Sequence, residues 1–337
     1  MQRDTRLDLI KAIAIFGVLL IHICGYEAPI ASFQWLGAVF WRTLFGAAVP
    51  LFLMCSGALL NAPQHPMPLK KLYLKNILRI LIAAFVWAFG YKLYHLLTAG
   101  ALTGANLWQA VKETFLFQHE FHFYYIQMIL LVYVFLPITR VFAEKATQRE
   151  FVYALGVWFV LGILLPTLTG VWPLTLLGGV ANQWWMNMVY ASVGYALLGY
   201  YLLRYPLPKK FAIAFLALGI AITLGATMIG SVVCGWLYTR FIEGMSVGIC
   251  FLAIGIFSCC LQLKSAPNVF VYISKASFLV YLSHMFVIYI LRGALQLTVY
   301  SFPSLFSAPV IALLTLAICL LLYFILSKIP FVKKWLI

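Results

Sequence analysis

Residues 3–25 read RDTRLDLIKAIAIFGVLLIHICG, a charged segment followed by a long apolar run. After its charged start, it is long and apolar enough to form a helix that crosses a hydrocarbon core of about 30 Å. Asp8, Lys11 and His22 interrupt the apolar run. Such groups are costly in hydrocarbon and therefore mark functional positions.

Lys11 and His22 project from one face of this helix, because eleven residues make about three full turns, or roughly 16 Å along the axis. The face suits an elongated molecule whose anionic end lies at Lys11 and whose reactive end lies at His22. Asp8 lies near the same face and is placed to pair with Lys11. The alternative is a plain membrane anchor with a snorkelling lysine and a hydrogen-bonded histidine.

The composition indicates a polytopic membrane protein. Of 337 residues, 65% are hydrophobic and 9% are charged, whereas soluble domains carry roughly a quarter charged residues. The net charge of +15 is spread over short loops, so we expect membrane lipid and no nucleic acid as a partner. The seven cysteines include no C-x-x-C pair, which argues against a disulfide framework or a zinc site.

Ten apolar stretches are long enough to span, which predicts an all-α bundle of about ten transmembrane helices. We place them at about residues 7–25, 36–60, 77–97, 122–142, 151–167, 183–203, 211–230, 245–263, 277–296 and 307–327. Alternating the spans from a cytoplasmic N-terminus puts most of the 23 Lys and Arg residues inside. The exceptions are Arg42, Lys92, Lys112, Arg240 and Arg292.

Basic residues concentrate on one side of a bilayer in this way when that side is cytoplasmic. We therefore predict that both termini are cytoplasmic. Residues 1–337 should form a single integral-membrane domain with no appended soluble domain. The segment 98–121 is predicted to be the longest outer loop.

Several charged or polar residues are candidates for ligand contact. Lys75 and Arg79 begin the third span, where cations attract either anionic lipid headgroups or an anionic ligand. Arg42 lies inside the second span and needs an anion or a water-filled cavity; Glu27 is one available partner, and a substrate is the alternative. Ser56 is a small residue that allows a neighbouring helix to approach closely. It is not expected to act as a nucleophile, because no G-x-S-x-G turn surrounds it.

The sequence HEFH at residues 119–122 does not form a metalloprotease motif, which needs two residues between Glu and the second His. No metal site is therefore predicted. His122 can instead face the same outer cavity as His22, while Tyr125 belongs either to that cavity or to an interfacial aromatic belt. Tyr281 and His284 share a helix face with Ser277 and are expected to face the bundle interior, with a core histidine as the alternative for His284.

These features together resemble the acyltransferase-3 family of bacterial integral-membrane acyltransferases, in particular its short, single-domain members. Lys11 and His22 match a first-helix pattern of Arg or Lys, ten residues, then His. Four further phrases follow in the family's order. They are VPLFLMCSGALL (49–60), YLKNILRIL (73–81), HFYYIQMILLVYVFLP (122–137) and ISKASFLVYLSHMF (273–286), the last running from a loop into the ninth span.

The resemblance implies an O-acyltransferase of the bacterial inner membrane. It would move an acyl group, with acetyl expected, from cytoplasmic acyl-CoA to a hydroxyl of a surface glycan or its lipid-linked precursor. His22 would be the general base and Lys11, Lys75 and Arg79 would hold the donor. The acceptor or cavity-lining residues would be Arg42, Ser56, His122, Tyr125, Tyr281 and His284.

Two residues depart from the family's phrases. Ala58 replaces an aromatic residue, and Asn76 replaces the first arginine of R-x-x-R. Arg79 must then share the phosphates of acetyl-CoA, or of another acyl-CoA, with Lys75, Lys71 or Lys70. The alternative functions are a transporter or flippase of an anionic lipid or metabolite, and a scaffold for glycan-assembly enzymes.

Overall fold

The computed structural model describes residues 3–25, 28–63, 67–171, 173–177 and 184–337. In this part of the chain every regular element is helical. The longer helices are numbered in chain order. They are α1 (Thr5–Ile23), α2 (Phe33–Leu44), α3 (Ala48–Leu60), α4 (Leu69–Thr98), α5 (Gly104–Phe115), α6 (Phe121–Lys145), α7 (Gln148–Leu168), α8 (Met188–Arg204), α9 (Lys209–Cys234), α10 (Val247–Leu261), α11 (Asn268–Leu295), α12 (Ser304–Leu326) and α13 (Pro330–Trp335).

A helix or helix pair occupies each of the ten predicted spans. Over the described ranges, seven helical rods are long and apolar enough to cross a membrane, with α2 and α3 together forming the first of them. Helix α10 is apolar but has only 15 residues. The predicted polytopic helical bundle is confirmed, while the number of spans and the cytoplasmic position of the termini stay predictions.

Helix α1 lies at the centre of the bundle, where it packs against α3, α11 and α12. Asp4 caps its N-terminus by accepting a hydrogen bond from the backbone N–H of Arg6, which satisfies one of the donors that a helix leaves unpaired. Ile10 and Leu19 are fully buried and lie on opposite sides of the helix. A helix that is apolar around its circumference is expected to be a core helix.

Helices α3 and α8 approach each other more closely than any side chain between them would allow. A Cβ atom at Gly57 would lie 1.9 Å from the carbonyl oxygen of Ala196. A Cβ atom at Gly199 would lie 2.1 Å from the carbonyl oxygen of Met54. The two glycines thus let the backbones touch, as small residues do in membrane helix pairs.

One local prediction was wrong. The segment before Ser277 is not a loop, because α11 begins at Asn268, directly after Pro267. Two segments have structure that the sequence patterns did not specify. A turn at residues 45–47 separates α2 from α3 within the second predicted span, and the segment 98–121 contains the amphipathic helix α5, which Thr103 caps.

Candidate active site

Three histidines from three helices lie together at the end of α1. His22 is in the last turn of α1, His122 is in the first turn of α6, and His284 is in the middle of α11. The ring centroid of His22 is 6.0 Å from that of His122 and 5.2 Å from that of His284. The centroids of His122 and His284 are 5.0 Å apart. We call this group the histidine cluster.

The hydrogen bonds in the histidine cluster determine which ring nitrogens can still bind a proton or a ligand. Nδ1 of His284 is 2.7 Å from the backbone oxygen of Tyr281. Since a carbonyl can only accept, Nδ1 carries the hydrogen and Nε2 of the neutral ring has a lone pair. This Nε2 atom and both ring nitrogens of His122 are buried without a hydrogen-bond partner among the described residues.

Leaving a buried polar atom unpaired costs about 1–3 kcal/mol. Three such atoms around His22 therefore need an explanation, and a catalytic role is one of those that such groups have in native proteins. Their arrangement suits a transferable proton or a polar ligand beside His22.

Aromatic rings enclose the histidine cluster. The ring of Phe121 is 5.2 Å from that of His22, and the ring of Tyr91 is 5.3 Å from that of His122. Tyr91 is fully buried and stacks on Phe286, with ring centroids 3.8 Å apart. Its hydroxyl donates a hydrogen bond of 2.9 Å to the backbone oxygen of Leu282. Tyr91 was not among the predicted site residues, since a tyrosine in an apolar run is indistinguishable from an ordinary core residue in the sequence.

A cavity of about 640 Å³ lies beside Lys11 of α1, towards the predicted cytoplasmic surface. Residues of α1, α3, α4, α6, α11 and α13 line it. We call it the basic cavity. No Asp or Glu stands among the described residues that line it. Its six cationic lining residues are Lys11, Lys75, Arg79, Lys275, Lys333 and Lys334.

All six of these cations belong to the side of the protein that the sequence analysis predicts to be cytoplasmic. The structure thus brings together Lys11, Lys75 and Arg79, as proposed for the donor. Lys70 and Lys71 do not line the cavity. The lysines outside the family phrases were missed because a loop lysine is normally only a marker of orientation.

Tyrosines connect the basic cavity with the histidine cluster. Ser56, Tyr125 and Tyr281 line the cavity, and the rings of the two tyrosines are 5.3 Å apart. The Tyr281 hydroxyl donates a hydrogen bond of 2.6 Å to the backbone oxygen of His122. The Tyr281 ring is 6.2 Å from that of His284. His22 does not line the basic cavity and instead borders a small cavity of about 80 Å³ between α1, α11 and α12.

Asp8 does not pair with Lys11 as predicted. Its two oxygens accept hydrogen bonds of 2.6 Å from Nε and Nη2 of Arg3. It also accepts a hydrogen bond of 2.6 Å from the Ser274 hydroxyl. A guanidinium can bind both carboxylate oxygens at once, whereas an ammonium cannot. Asp8 therefore joins α1 to α11, and Lys11 lines the basic cavity.

Arg42 lies near His22, close enough for an electrostatic interaction, and also near Cys24 and Tyr124. Its suggested partner Glu27 lies outside the described residues. Arg42 does not line the basic cavity.

The two histidines of the HEFH segment, His119 and His122, lie in different surroundings. Nε2 of His119 is 2.8 Å from the backbone oxygen of Thr114, and burial lowers the pKa of this imidazole. His122 instead joins the histidine cluster. Within the described ranges, no group of three His, Cys, Asp or Glu residues has the geometry to hold a metal ion.

Comparison with known protein families decides the class. The model of the acyltransferase-3 family, described as an acyltransferase domain, matches residues 4–324. The chain belongs to this family. No curated protein and no solved structure matches it.

This acyltransferase is accordingly a multi-pass membrane enzyme that transfers acyl groups other than aminoacyl groups. The match decides against the transporter and the scaffold as the primary function. It covers the histidine cluster and four cations of the basic cavity, and it ends before Lys333 and Lys334. The individual roles of the site residues stay predictions.

Proposed function

We propose that the protein is an O-acyltransferase of the bacterial inner membrane. It takes an acyl group, acetyl in the first instance, from cytoplasmic acyl-CoA. It delivers this group to a hydroxyl of a surface glycan or of its lipid-linked precursor. The observation that carries the proposal is that Tyr281 lines the basic cavity and also contacts His122 and His284 of the histidine cluster.

The basic cavity has the charge that an acyl-CoA donor needs. Coenzyme A carries a pyrophosphate and a 3′-phosphate, and the six cations face this polyanion without a competing carboxylate among the described lining residues. Arg79 can bind a phosphate through two parallel hydrogen bonds, while Lys11 and Lys75 act as point charges. The phosphates at the cations direct the thioester towards Tyr125 and Tyr281.

The histidine cluster supplies the acid–base chemistry. An acceptor hydroxyl is a poor nucleophile at neutral pH, and a neutral imidazole within hydrogen-bond reach takes its proton during attack. The hydroxyl oxygen forms a bond to the thioester carbonyl carbon, and the carbon–sulfur bond breaks. The proton held by His22 then passes to the leaving thiolate, which departs as free coenzyme A.

The decisive experiment compares histidine variants in membranes that contain the natural acceptor. His22→Gln keeps hydrogen bonds but cannot accept the proton, so we expect transfer of label from acetyl-CoA to fall by about two to four orders of magnitude. Donor affinity should stay at the parental value. His95→Gln is the matched control, because His95 is half exposed and pairs with Glu120 outside the histidine cluster.

Near-parental transfer by His22→Gln would refute the general-base role of His22. A parent that neither transfers nor hydrolyses labelled acetyl-CoA would refute the proposed donor. In a second arm, Arg79→Ala and Lys75→Ala should weaken acyl-CoA binding and make the remaining affinity less sensitive to salt. Unchanged binding by both variants would show that the basic cavity is not the donor site.

A further inference from the structure

Two side chains of α4 hold the segment that contains α13 beside the basic cavity by hydrogen bonds to its backbone. Nη2 of Arg79 donates a hydrogen bond to the backbone oxygen of Ile337. The indole N–H of Trp87 donates one of 3.2 Å to the backbone oxygen of Leu336. Both donors are on α4, and the Ile337 side chain is buried. The segment after α12 is therefore docked on the helix that carries Lys75 and Arg79.

The side chains of α13 complete the cavity wall. Lys333, Lys334 and Trp335 line it together with Arg79 and Lys75. Both lysines are exposed, and the Lys334 ammonium lies 5.0 Å from the centroid of the Trp335 ring. Two exposed cations and one half-buried aromatic side chain of α13 thus belong to the lining of the cavity.

One of the lining residues on α4 is neutral. Asn76 lines the cavity, and its amide contacts the sulfur of Met67 at 3.3 Å. It adds no charge beside Arg79. Lys333 and Lys334 on α13 add to the positive charge that Lys75 and Arg79 supply from α4 and that Lys11 and Lys275 supply from α1 and α11.

We propose that α13 forms part of the donor site and holds the adenine nucleotide end of coenzyme A. Lys333 and Lys334 bind phosphate, and the Trp335 ring packs against the adenine base, as aromatic side chains do with nucleic-acid bases. This inference rests on the proposed function, because it assumes that acyl-CoA is the donor. It assigns a nucleotide-binding role to a segment outside the matched family domain.

The test measures the affinity of the full-length protein in detergent for two probes by calorimetric titration. Coenzyme A contains the adenine nucleotide, and 4′-phosphopantetheine lacks it. The double variant K333Q/K334Q should bind coenzyme A roughly tenfold more weakly, which is the scale of one lost charged hydrogen bond. Its affinity for 4′-phosphopantetheine should not change. Trp335→Leu should show the same selectivity, with a loss of roughly fivefold to tenfold.

The chain offers a matched control. Lys209 and Lys210 are also adjacent and exposed, and the Lys210 ammonium lies 5.1 Å from the Phe211 ring, but neither lysine lines the basic cavity. K209Q/K210Q removes the same charge and should bind both probes like the parent.

The outcomes separate the two proposals. If the parent binds coenzyme A and K333Q/K334Q binds it equally well, the role of α13 is wrong and the proposed function stands. An equal loss for both probes, or an equal loss in the control pair, also overturns the inference, because the effect would then be one of general charge. A parent that binds no coenzyme A overturns the inference together with the proposed donor.

Discussion

The contact between α3 and α8 gives a prediction whose size follows from the structure. In Gly57→Ala the new Cβ atom would lie 1.9 Å from the carbonyl oxygen of Ala196, whereas ordinary contacts begin at 3.4 Å. The two helices must therefore part by more than 1 Å at their crossing. The atoms that the new Cβ atom would meet belong to the Ala196 backbone, so the clash cannot be relieved by rotating a side chain.

Overpacking of this kind costs about 1–3 kcal/mol. At roughly 2–4 °C per kcal/mol, Gly57→Ala should lower the midpoint of thermal unfolding in detergent by several degrees. Gly199→Ala opens the same crossing, where its Cβ atom would lie 2.1 Å from the Met54 backbone oxygen. The double variant should therefore lose less than the sum of the two single losses, because residues that share a contact are not additive.

Gly156→Ala is the control for this experiment. It lies inside α7, and a Cβ atom there would meet nothing within 4 Å. Alanine is the better helix former, so this variant should match the parent or gain up to about 1 kcal/mol. Transfer activity should fall in Gly57→Ala, because α3 also carries Ser56 on the wall of the basic cavity. If Gly57→Ala proves as stable as Gly156→Ala, the close approach of α3 and α8 is wrong.

Three further predictions can be checked separately. A cysteine at Gln118 should react in intact cells with a thiol reagent that cannot cross the membrane, and one at Ser265 only after the membrane is opened; the reverse order would overturn the orientation. Hydrogen bonds from Arg6 hold the pKa of Asp4 below its usual range, so Asp4 stabilises the folded state above about pH 4 and loses this effect as the pH falls through its folded pKa. The stability gap between the parent and Asp4→Asn should hence narrow in acid melts, and a constant gap would contradict the assignment. Tyr281→Phe removes the hydrogen bond to the His122 backbone and should slow transfer without weakening donor binding; parental transfer would exclude this positioning role.

Much of the fold follows from sequence alone because a bilayer narrows the choices. A chain in hydrocarbon must pair its own backbone groups, so long apolar runs form helices. The ten predicted spans accordingly coincide with helices. The helix of the ninth span begins earlier than predicted, directly after Pro267, and a turn at residues 45–47 divides the second span. Helix α5 was missed because it is much less apolar overall than the runs that flank it, although one of its faces is apolar.

The candidate site was predictable where helical spacing or a family phrase applied. Lys11 and His22 are placed on one helix by their eleven-residue spacing, and His284 and Tyr281 share a helix face. The sequence could not show that Asp8 pairs with Arg3, because the competition between Arg3 and Lys11 depends on geometry and on the nearby Ser274.

The class of molecule, its helices and its membrane character can be predicted from the sequence, since these depend on local hydrophobicity and on spacing along one helix. Which residues meet across helices depends instead on the packing of the whole bundle. In the folded protein the ring centroids of His22, His122 and His284, which come from three helices, lie within 6.0 Å of one another. The segment with α13 likewise contacts α4, so that Lys333 and Lys334 line the same cavity as Arg79. Contacts between residues hundreds of positions apart arise from packing, and no local pattern in a single sequence encodes them.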